Sequence, residues 1–190
     1  MPIDSFFPAS RFSATERRAA LAGRANELRE LERAYAFVQE TSQARTVTVV
    51  GGPGIGKTRL VRDFLVRLRS AGGAAPPRVF RGAAREGGPA YEVFARVLRA
   101  RFGIIEGMDP EAAKAQVRAQ LAGVLEDRKV GDVAYFLGQL LELSFQDSPL
   151  IRAVEGDPQQ IRLLRRAVIK SFLEADAGKA NEPLVLMFDD

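Results

Sequence analysis

The 190-residue chain contains neither cysteine nor histidine. These absences exclude disulfides, thiol nucleophiles, Cys/His zinc sites and any Ser-His or Cys-His catalytic arrangement. Any chemistry must therefore use carboxylates, lysine, arginine, hydroxyl groups and a bound hard cation. The chain also lacks the run of about 18 apolar residues that a membrane-spanning helix needs, and its first residues do not resemble a secretory signal. We therefore expect a cytoplasmic protein with no membrane partner.

The composition is that of an ordinary soluble globular protein, with 46% hydrophobic and 27% charged residues. The formal charge of +4 comes from 28 basic against 24 acidic residues. Most of the basic residues are arginines scattered beside acidic residues along predicted helices, which is typical of solvated helix faces. Direct nucleic-acid binding by this segment is therefore not expected.

The hydrophobic pattern predicts an α/β protein in one domain over residues 21–190, preceded by a loosely ordered lead-in over residues 1–20. Short apolar or β-branched runs predict three strands. Three- and four-residue apolar spacing predicts the helices that precede and separate them, the first of them from Asn26 onward. The predicted strands are Thr46–Val50, Arg78–Arg81 and Leu184–Phe188, the last of them typical of a buried parallel strand. A large helical segment, residues 91–176, separates the second strand from the third, with breaks at Gly103–Pro110, near Gly131 and at Gln146–Pro158. The last helix is predicted to begin with Asp157 as its N-cap and Pro158 at its first position, and to end at Gly178.

The segment between the first strand and the helix that begins near Gly56 carries the most specific motif. It satisfies the phosphate-loop pattern G-x-x-x-x-G-K-[ST], in the required position after a predicted strand and at the start of a helix. Glycines let the backbone N–H groups turn toward phosphate oxygens, while the helix N-terminus favours an anion. The predicted nucleotide-binding residues are Gly51, Gly52, Pro53, Gly54, Ile55, Gly56, Lys57, Thr58 and Arg59.

Within this loop, Lys57 supplies a cation for the β and γ phosphates, and the Thr58 hydroxyl is suited to ligating Mg²⁺. The last strand ends in two further carboxylates, Asp189 and Asp190. If that strand lies in the same sheet as Thr46–Val50, Asp189 holds the same Mg²⁺ and Asp190 polarises an attacking water, so that Lys57 and Asp190 are the catalytic candidates. The motif thus predicts a purine nucleoside triphosphate and Mg²⁺ as cofactors.

Three segments resemble STAND-class P-loop ATPases and related AAA-type, origin-recognition-like domains. Leu21–Leu28 resembles their GR-x-x-E-L box, Pro89–Phe94 resembles their P-Y-x-x-F segment, and Pro183–Asp190 resembles their Walker B strand. The resemblance implies a P-loop NTPase fold with three α/β/α layers and a parallel sheet. It also implies ATP as the nucleotide, in an ATP-driven signalling or transcription-regulating switch with slow hydrolysis. By the same resemblance, Gly23, Arg24 and Glu27 would lie near the base and ribose.

The chain ends where this family supplies further strands, a lid and an effector, one of the missing strands lying between the first strand and the Walker B strand. We therefore expect an incomplete sheet from a fragment or truncated product, with slow or absent hydrolysis. A gap with exposed edges is favoured over direct pairing of the first and last strands.

Two other functions stay open. One is a P-loop phosphotransferase acting on a small molecule, with Arg85, Arg96 and Arg99 as acceptor-side cations. The other is a non-catalytic interaction module that keeps the loop as a structural relic. Self-association and regulatory protein partners are compatible with the hypothesis of a regulatory ATPase. The sequence does not identify the signal or the effector.

Overall fold

A computed structural model describes residues 23–70, 77–89, 91–145, 152, 156–179 and 182–189. The chain divides into two compact units, the first ending at Pro77 and the second beginning at Arg78. The first unit contains α1 (Ala25–Thr41) and α2 (Lys57–Ser70). The second unit contains β1 (Arg78–Ala83), α3 (Glu92–Phe102), α4 (Pro110–Ala122), α5 (Asp127–Leu141), α6 (Pro158–Lys179) and β2 (Leu184–Asp189).

In the first unit, α1 and α2 pack through the apolar faces that their sequences predict. Leu28 is buried on α1, and Leu60, Phe64 and Leu65 are buried on α2. The ring of Tyr35 meets that of Phe64 edge-on, with centroids 6.2 Å apart. Both predicted helices are confirmed, because an apolar stripe at 3.6-residue spacing needs only one neighbouring helix to cover it.

The second unit is built around the parallel pairing of β1 with β2, in a register that sets Arg78 opposite Leu184 and Ala83 opposite Asp189. Side chains alternate between the two faces of a strand. One face of this pair is packed against α3, since Gly82 lies against the Val93 backbone and the ring of Phe188 lies 6.3 Å from that of Phe94.

The four helices between the strands form a separate apolar core. Phe102 of α3 stacks on Phe172 of α6 with ring centroids 5.7 Å apart, and both side chains are fully buried. The long helical insertion between the second and third predicted strands is thus confirmed. The other buried members of this core are Leu98, Val117, Leu121, Val133, Ala134, Leu137 and Leu141.

One buried carboxylate joins the sheet to the helices. Asp176 of α6 is 2% exposed and accepts hydrogen bonds from Arg101 of α3, including one of 2.8 Å from its Nε. Arg78, the first residue of β1, donates to the same carboxylate and to the Asp176 carbonyl oxygen, the latter at 2.6 Å. Burial alone would raise the pKa of Asp176, but the hydrogen bonds and charges of Arg101 and Arg78 outweigh it and hold that pKa below its ordinary value.

The prediction of a strand at Thr46–Val50 is wrong, because residues 42–50 form neither helix nor strand. Val47 and Val50 are exposed by 49% and 86%. β-branched residues favour a strand only where a neighbouring strand accepts the hydrogen bonds and a core covers the side chains, so the local preference did not decide the conformation. The expectation that this segment shares a sheet with Leu184–Phe188 is therefore wrong as well, and the three-layer arrangement remains a prediction.

Three smaller expectations also need correction. The helix break expected near Gly131 is wrong, because Gly131 lies inside α5 and the chain turns at residues 123–126 instead. Helix α6 begins as predicted, with Asp157 accepting from the amides of Gln159 and Gln160, but it ends at Lys179 and not at Gly178. Strand β2 is only half-buried, with Phe188 58% exposed, because a strand with one described neighbour is covered less fully than a central one.

Replacing Asp176 with Asn should lower the free energy of unfolding by about 3 kcal/mol, because two arginines lose the charge that compensates them in a buried site. Since the folded-state pKa of Asp176 is depressed, its stabilising effect is complete above the unfolded value of about 4 and is lost as pH falls through the folded pKa. Urea unfolding from pH 7 down to pH 3 measures both effects, and Asp176→Asn should flatten the acid limb.

Glu174→Gln is the matched control on the same helix, because Glu174 is exposed and pairs with Lys170 at 3.6 Å. It should cost less than about 1 kcal/mol. Equal losses for the two variants would contradict the assigned role of Asp176.

Gly82→Ala should destabilise the second unit by about 1–3 kcal/mol, because a Cβ at residue 82 would overlap the Val93 carbonyl oxygen of α3. Gly131→Ala provides the opposite case, since a Cβ there meets nothing within 4 Å and alanine favours a helix by roughly 0.5–1 kcal/mol over glycine. Chemical unfolding of both variants checks the packing of β1 against α3. Stabilisation by Gly82→Ala would show that the strand and helix are further apart than described.

Candidate functional site

The glycine-rich segment of the first unit forms an open turn that leads directly into α2. Gly54 has φ of +77° and Gly56 has φ of +97°, backbone conformations that side-chain-bearing residues rarely adopt. The turn is closed by hydrogen bonds from the Ile55 amide to the Gly52 carbonyl at 3.4 Å and from the Leu60 amide to the Gly56 carbonyl at 2.9 Å. The first amides of a helix have no intrahelical acceptor, so this turn places positive dipole ends beside an exposed loop.

Lys57, the first residue of α2, folds its side chain back over this turn. Its Nζ donates to the Gly51 carbonyl oxygen at 2.9 Å and to the Gly52 carbonyl oxygen at 3.4 Å. The ammonium group is therefore held at the loop by neutral acceptors. A phosphate oxygen is a stronger acceptor for an ammonium than a carbonyl oxygen, so an anion at the loop would compete for this partner.

The next two residues of the motif lie on the first turn of α2. Thr58 is half-buried at its second position. Arg59 is also half-buried and approaches Asp63 one turn further along the helix, with 3.9 Å between Nε and Oδ2. The motif residues from Gly51 to Arg59 thus form one continuous loop-and-helix segment, although their predicted contacts with nucleotide remain predictions.

Arg24 connects the segment before α1 to this loop. Its Nη1 donates to Glu27 Oε1 at 2.7 Å, and its Nη2 lies 3.5 Å from the Ile55 carbonyl oxygen. The hydrogen bond from Arg24 is also the main reason that the pKa of Glu27 is lowered. Gly23 precedes it with φ of +75°, whereas Leu21 and Ala22 of the same motif lie outside the described residues. Sequence reasoning paired Arg24 with base and ribose and missed its contact with the loop, because 31 positions separate Arg24 from Ile55.

In the second unit, Asp189 is the last residue of β2 and pairs with Arg81 of β1. Its carbonyl oxygen accepts from the Ala84 amide at 2.7 Å, which fixes the end of the strand. The Asp189 side chain is 23% exposed and that of Arg81 is 17% exposed. Arg81 was not among the predicted site residues, and only the placement of an arginine inside a short strand hinted at a partner. Asp190 lies outside the described residues.

The three arginines proposed as acceptor-side cations each have protein partners. Arg96 donates to the Ala83 carbonyl oxygen at 2.9 Å and to Glu92 at 2.6 Å. Arg99 donates to the Leu141 carbonyl oxygen at 2.7 Å, and Arg85 Nε lies 3.6 Å from Glu92. These contacts join elements of the second unit, so they give the phosphotransferase alternative no support.

The residues assigned to magnesium offer the donor atoms that this ion prefers. Thr58 supplies a hydroxyl oxygen in the first unit, and Asp189 supplies carboxylate oxygens in the second. Mg²⁺ binds hard oxygen ligands and is usually held by one or two carboxylates together with substrate phosphates. Each residue by itself carries a donor that suits the ion, and their joint role as its ligands remains a prediction.

A family model described as "AAA ATPase domain" matches residues 20–190. No curated protein and no solved structure matches the chain. None of the helices in the described part of the chain has both the length and the apolar character that crossing a membrane requires.

Gly56→Ala should weaken ATP binding about tenfold, since a bound loop would have to hold alanine at a strained positive φ. Gly52→Ala is the control, because Gly52 does not have positive φ and a Cβ there meets nothing within 4 Å. Titration of each variant with ATP measures the difference. Equal affinities for the two variants would show that the described turn is not the one that binds nucleotide.

Proposed function

We propose that this chain, which belongs to the AAA ATPase domain family, is the Mg·ATP-binding module of a STAND-type regulatory ATPase. In such a module, bound nucleotide and slow hydrolysis set an on or off state for signalling or transcription. The observation that carries the proposal is the open glycine turn that leads into α2 with the Lys57 ammonium held over it.

Phosphate binding at this turn needs little rearrangement of the chain. The β and γ phosphates replace the Gly51 and Gly52 carbonyl oxygens as the partners of Lys57 Nζ. Charge-assisted hydrogen bonds to phosphate are roughly twice as strong as neutral ones, so the exchange favours the anion. The N-terminus of α2 adds its dipole in the same direction.

Thr58 and Asp189 are the proposed candidate ligands of Mg²⁺, an ion that neutralises charge on the β and γ phosphates when it is bound. Asp190, adjacent to Asp189, would orient and polarise a water for slow hydrolysis. These roles follow from the residues' chemistry and from their places in the family's motifs.

The proposed switch runs through Arg24. Its guanidinium contacts the loop at Ile55 and α1 at Glu27, so a change in the loop on nucleotide binding changes a contact at the start of α1. Gly23 and Arg24 would also lie beside the base and ribose, as the GR-x-x-E-L box implies. A cytoplasmic setting with regulatory protein partners or self-association completes the proposal.

Lys57→Ala should weaken Mg·ATP binding about tenfold to a hundredfold, because a hydrogen bond between charged groups contributes about 1.5–3 kcal/mol. Isothermal titration of the folded chain measures this directly. Lys170→Ala is the matched control, since Lys170 is exposed on α6 and pairs only loosely with Glu174, at 3.6 Å. Unchanged binding in Lys57→Ala, or no binding in the unsubstituted chain, would contradict the proposed function.

A further inference from the structure

We propose that Glu27 is a positioning residue for the phosphate loop, because it holds the Arg24 guanidinium against the Ile55 carbonyl oxygen and so preorganises the turn that receives phosphate. The inference rests on the proposed function, since it assumes that this turn binds the phosphates of a nucleotide. It gives the pair of Arg24 and Glu27 an effect on the phosphate end of the ligand, in addition to the place beside base and ribose that the GR-x-x-E-L box implies.

The Arg24 guanidinium bridges two parts of the first unit with separate nitrogen atoms. Its Nη1 donates to Glu27 Oε1 at 2.7 Å, whereas its Nη2 lies 3.5 Å from the Ile55 carbonyl oxygen. The first contact is short and joins opposite charges, while the second is long and has a neutral acceptor. Glu27 therefore fixes the guanidinium, and the guanidinium in turn restrains the loop.

Ile55 is a position at which one restraint affects the whole turn. It lies between Gly54 and Gly56, both at positive φ, and glycine has more backbone freedom to lose than any other residue. The Ile55 side chain lies against Gly51, since a Cβ at residue 51 would be 2.8 Å from Ile55 Cγ2. The contact of Arg24 with the Ile55 carbonyl oxygen holds the same residue from its backbone.

The carbonyl group that Arg24 contacts also sets the direction of the next amide. The described part of the chain has no cis peptide bonds, so the Ile55 C=O and the Gly56 N–H lie in one plane and point in opposite directions. With the carbonyl turned toward Arg24, the Gly56 N–H is directed away from it. A loop whose amides are oriented before the anion arrives loses less conformational freedom on binding, so its affinity is higher.

The test measures how well ATP and inorganic tripolyphosphate displace a fluorescent ATP analogue from the full chain in saturating Mg²⁺. Tripolyphosphate has no base or ribose, so its affinity reports only on the phosphate end of the site. Glu27→Gln should weaken tripolyphosphate binding about threefold, and ATP binding by at least as much, because the restraint is carried by one partly exposed ion pair.

A double substitution separates positioning from a general effect on the fold. In an Arg24→Gln background, Glu27→Gln should cause no further loss of tripolyphosphate affinity, because the residue through which it acts is gone. The two side chains are 36% and 41% exposed, so neither substitution changes the apolar core. If Arg24→Gln does not fold, as judged by circular dichroism, Arg24→Lys replaces it, since lysine cannot hold the two acceptors with separate nitrogen atoms.

Glu30→Gln is the matched control. Glu30 lies one turn further along α1 and pairs with Arg33 at 2.6 Å, with the same three-residue spacing and with both side chains about 70% exposed. It removes the same charge from the same helix, and the affinities for ATP and tripolyphosphate should equal those of the unsubstituted chain.

The outcomes separate the inference from the function on which it rests. Absence of analogue binding to the unsubstituted chain would overturn the proposed function itself. Analogue binding that tripolyphosphate does not displace, or a tripolyphosphate affinity that Glu27→Gln leaves unchanged, would leave nucleotide binding standing and overturn the positioning role. An equal loss in Glu30→Gln, or a full further loss in the Arg24→Gln background, would overturn it as well.

Discussion

Parallel pairing of β1 with β2 is the constraint on which the second unit depends. Two parallel strands cannot be joined by a tight turn, because the chain must return to the same end of the sheet before it can pair again. Here residues 84–183 make that return, and α3, α4, α5 and α6 within them bury their own apolar core. The Asp176 carboxylate then ties this helical insertion to the sheet, since it is held by an arginine that opens β1 and by another on α3. The position of Asp189 at the end of β2 follows from that arrangement.

Charge is arranged differently at the three places where it matters. At Asp176 a buried anion is held by two partly buried arginines, which suits a permanent structural contact. At Lys57 a cation rests on neutral carbonyl oxygens, so a phosphate can improve on its partners. At Asp189 an anion at the end of β2 is paired with Arg81 of β1. A charge in a shielded site needs a partner, and this need is met by ion pairs at Asp176 and Asp189 and by neutral acceptors at Lys57.

Much of this organisation could be read from the sequence, because amphipathic spacing and motif patterns are local. The apolar stripes predicted α1 and α2, Asp157 and Pro158 predicted the start of α6, and the glycine pattern predicted the phosphate loop. Features that depend on distant partners were missed. Asp176 lies 98 positions from Arg78, and Asp189 lies 108 positions from Arg81, and no pattern in a single sequence joins them. The same limitation explains the wrong strand at Thr46–Val50. Its β-branched residues indicate a preference for strand conformation, but they do not show whether a neighbouring strand accepts the hydrogen bonds.

We propose that Gly51–Thr58 closes around the phosphates of ATP. Hydrogen exchange of the peptide that covers these residues, followed by mass spectrometry with and without Mg·ATP, tests it most directly, because bound phosphate oxygens would accept hydrogen bonds from the loop amides. Exchange should slow in this peptide, with no comparable change in α4, which belongs to the apolar core of the second unit. Exchange of the loop peptide that is unaffected by saturating Mg·ATP would contradict it.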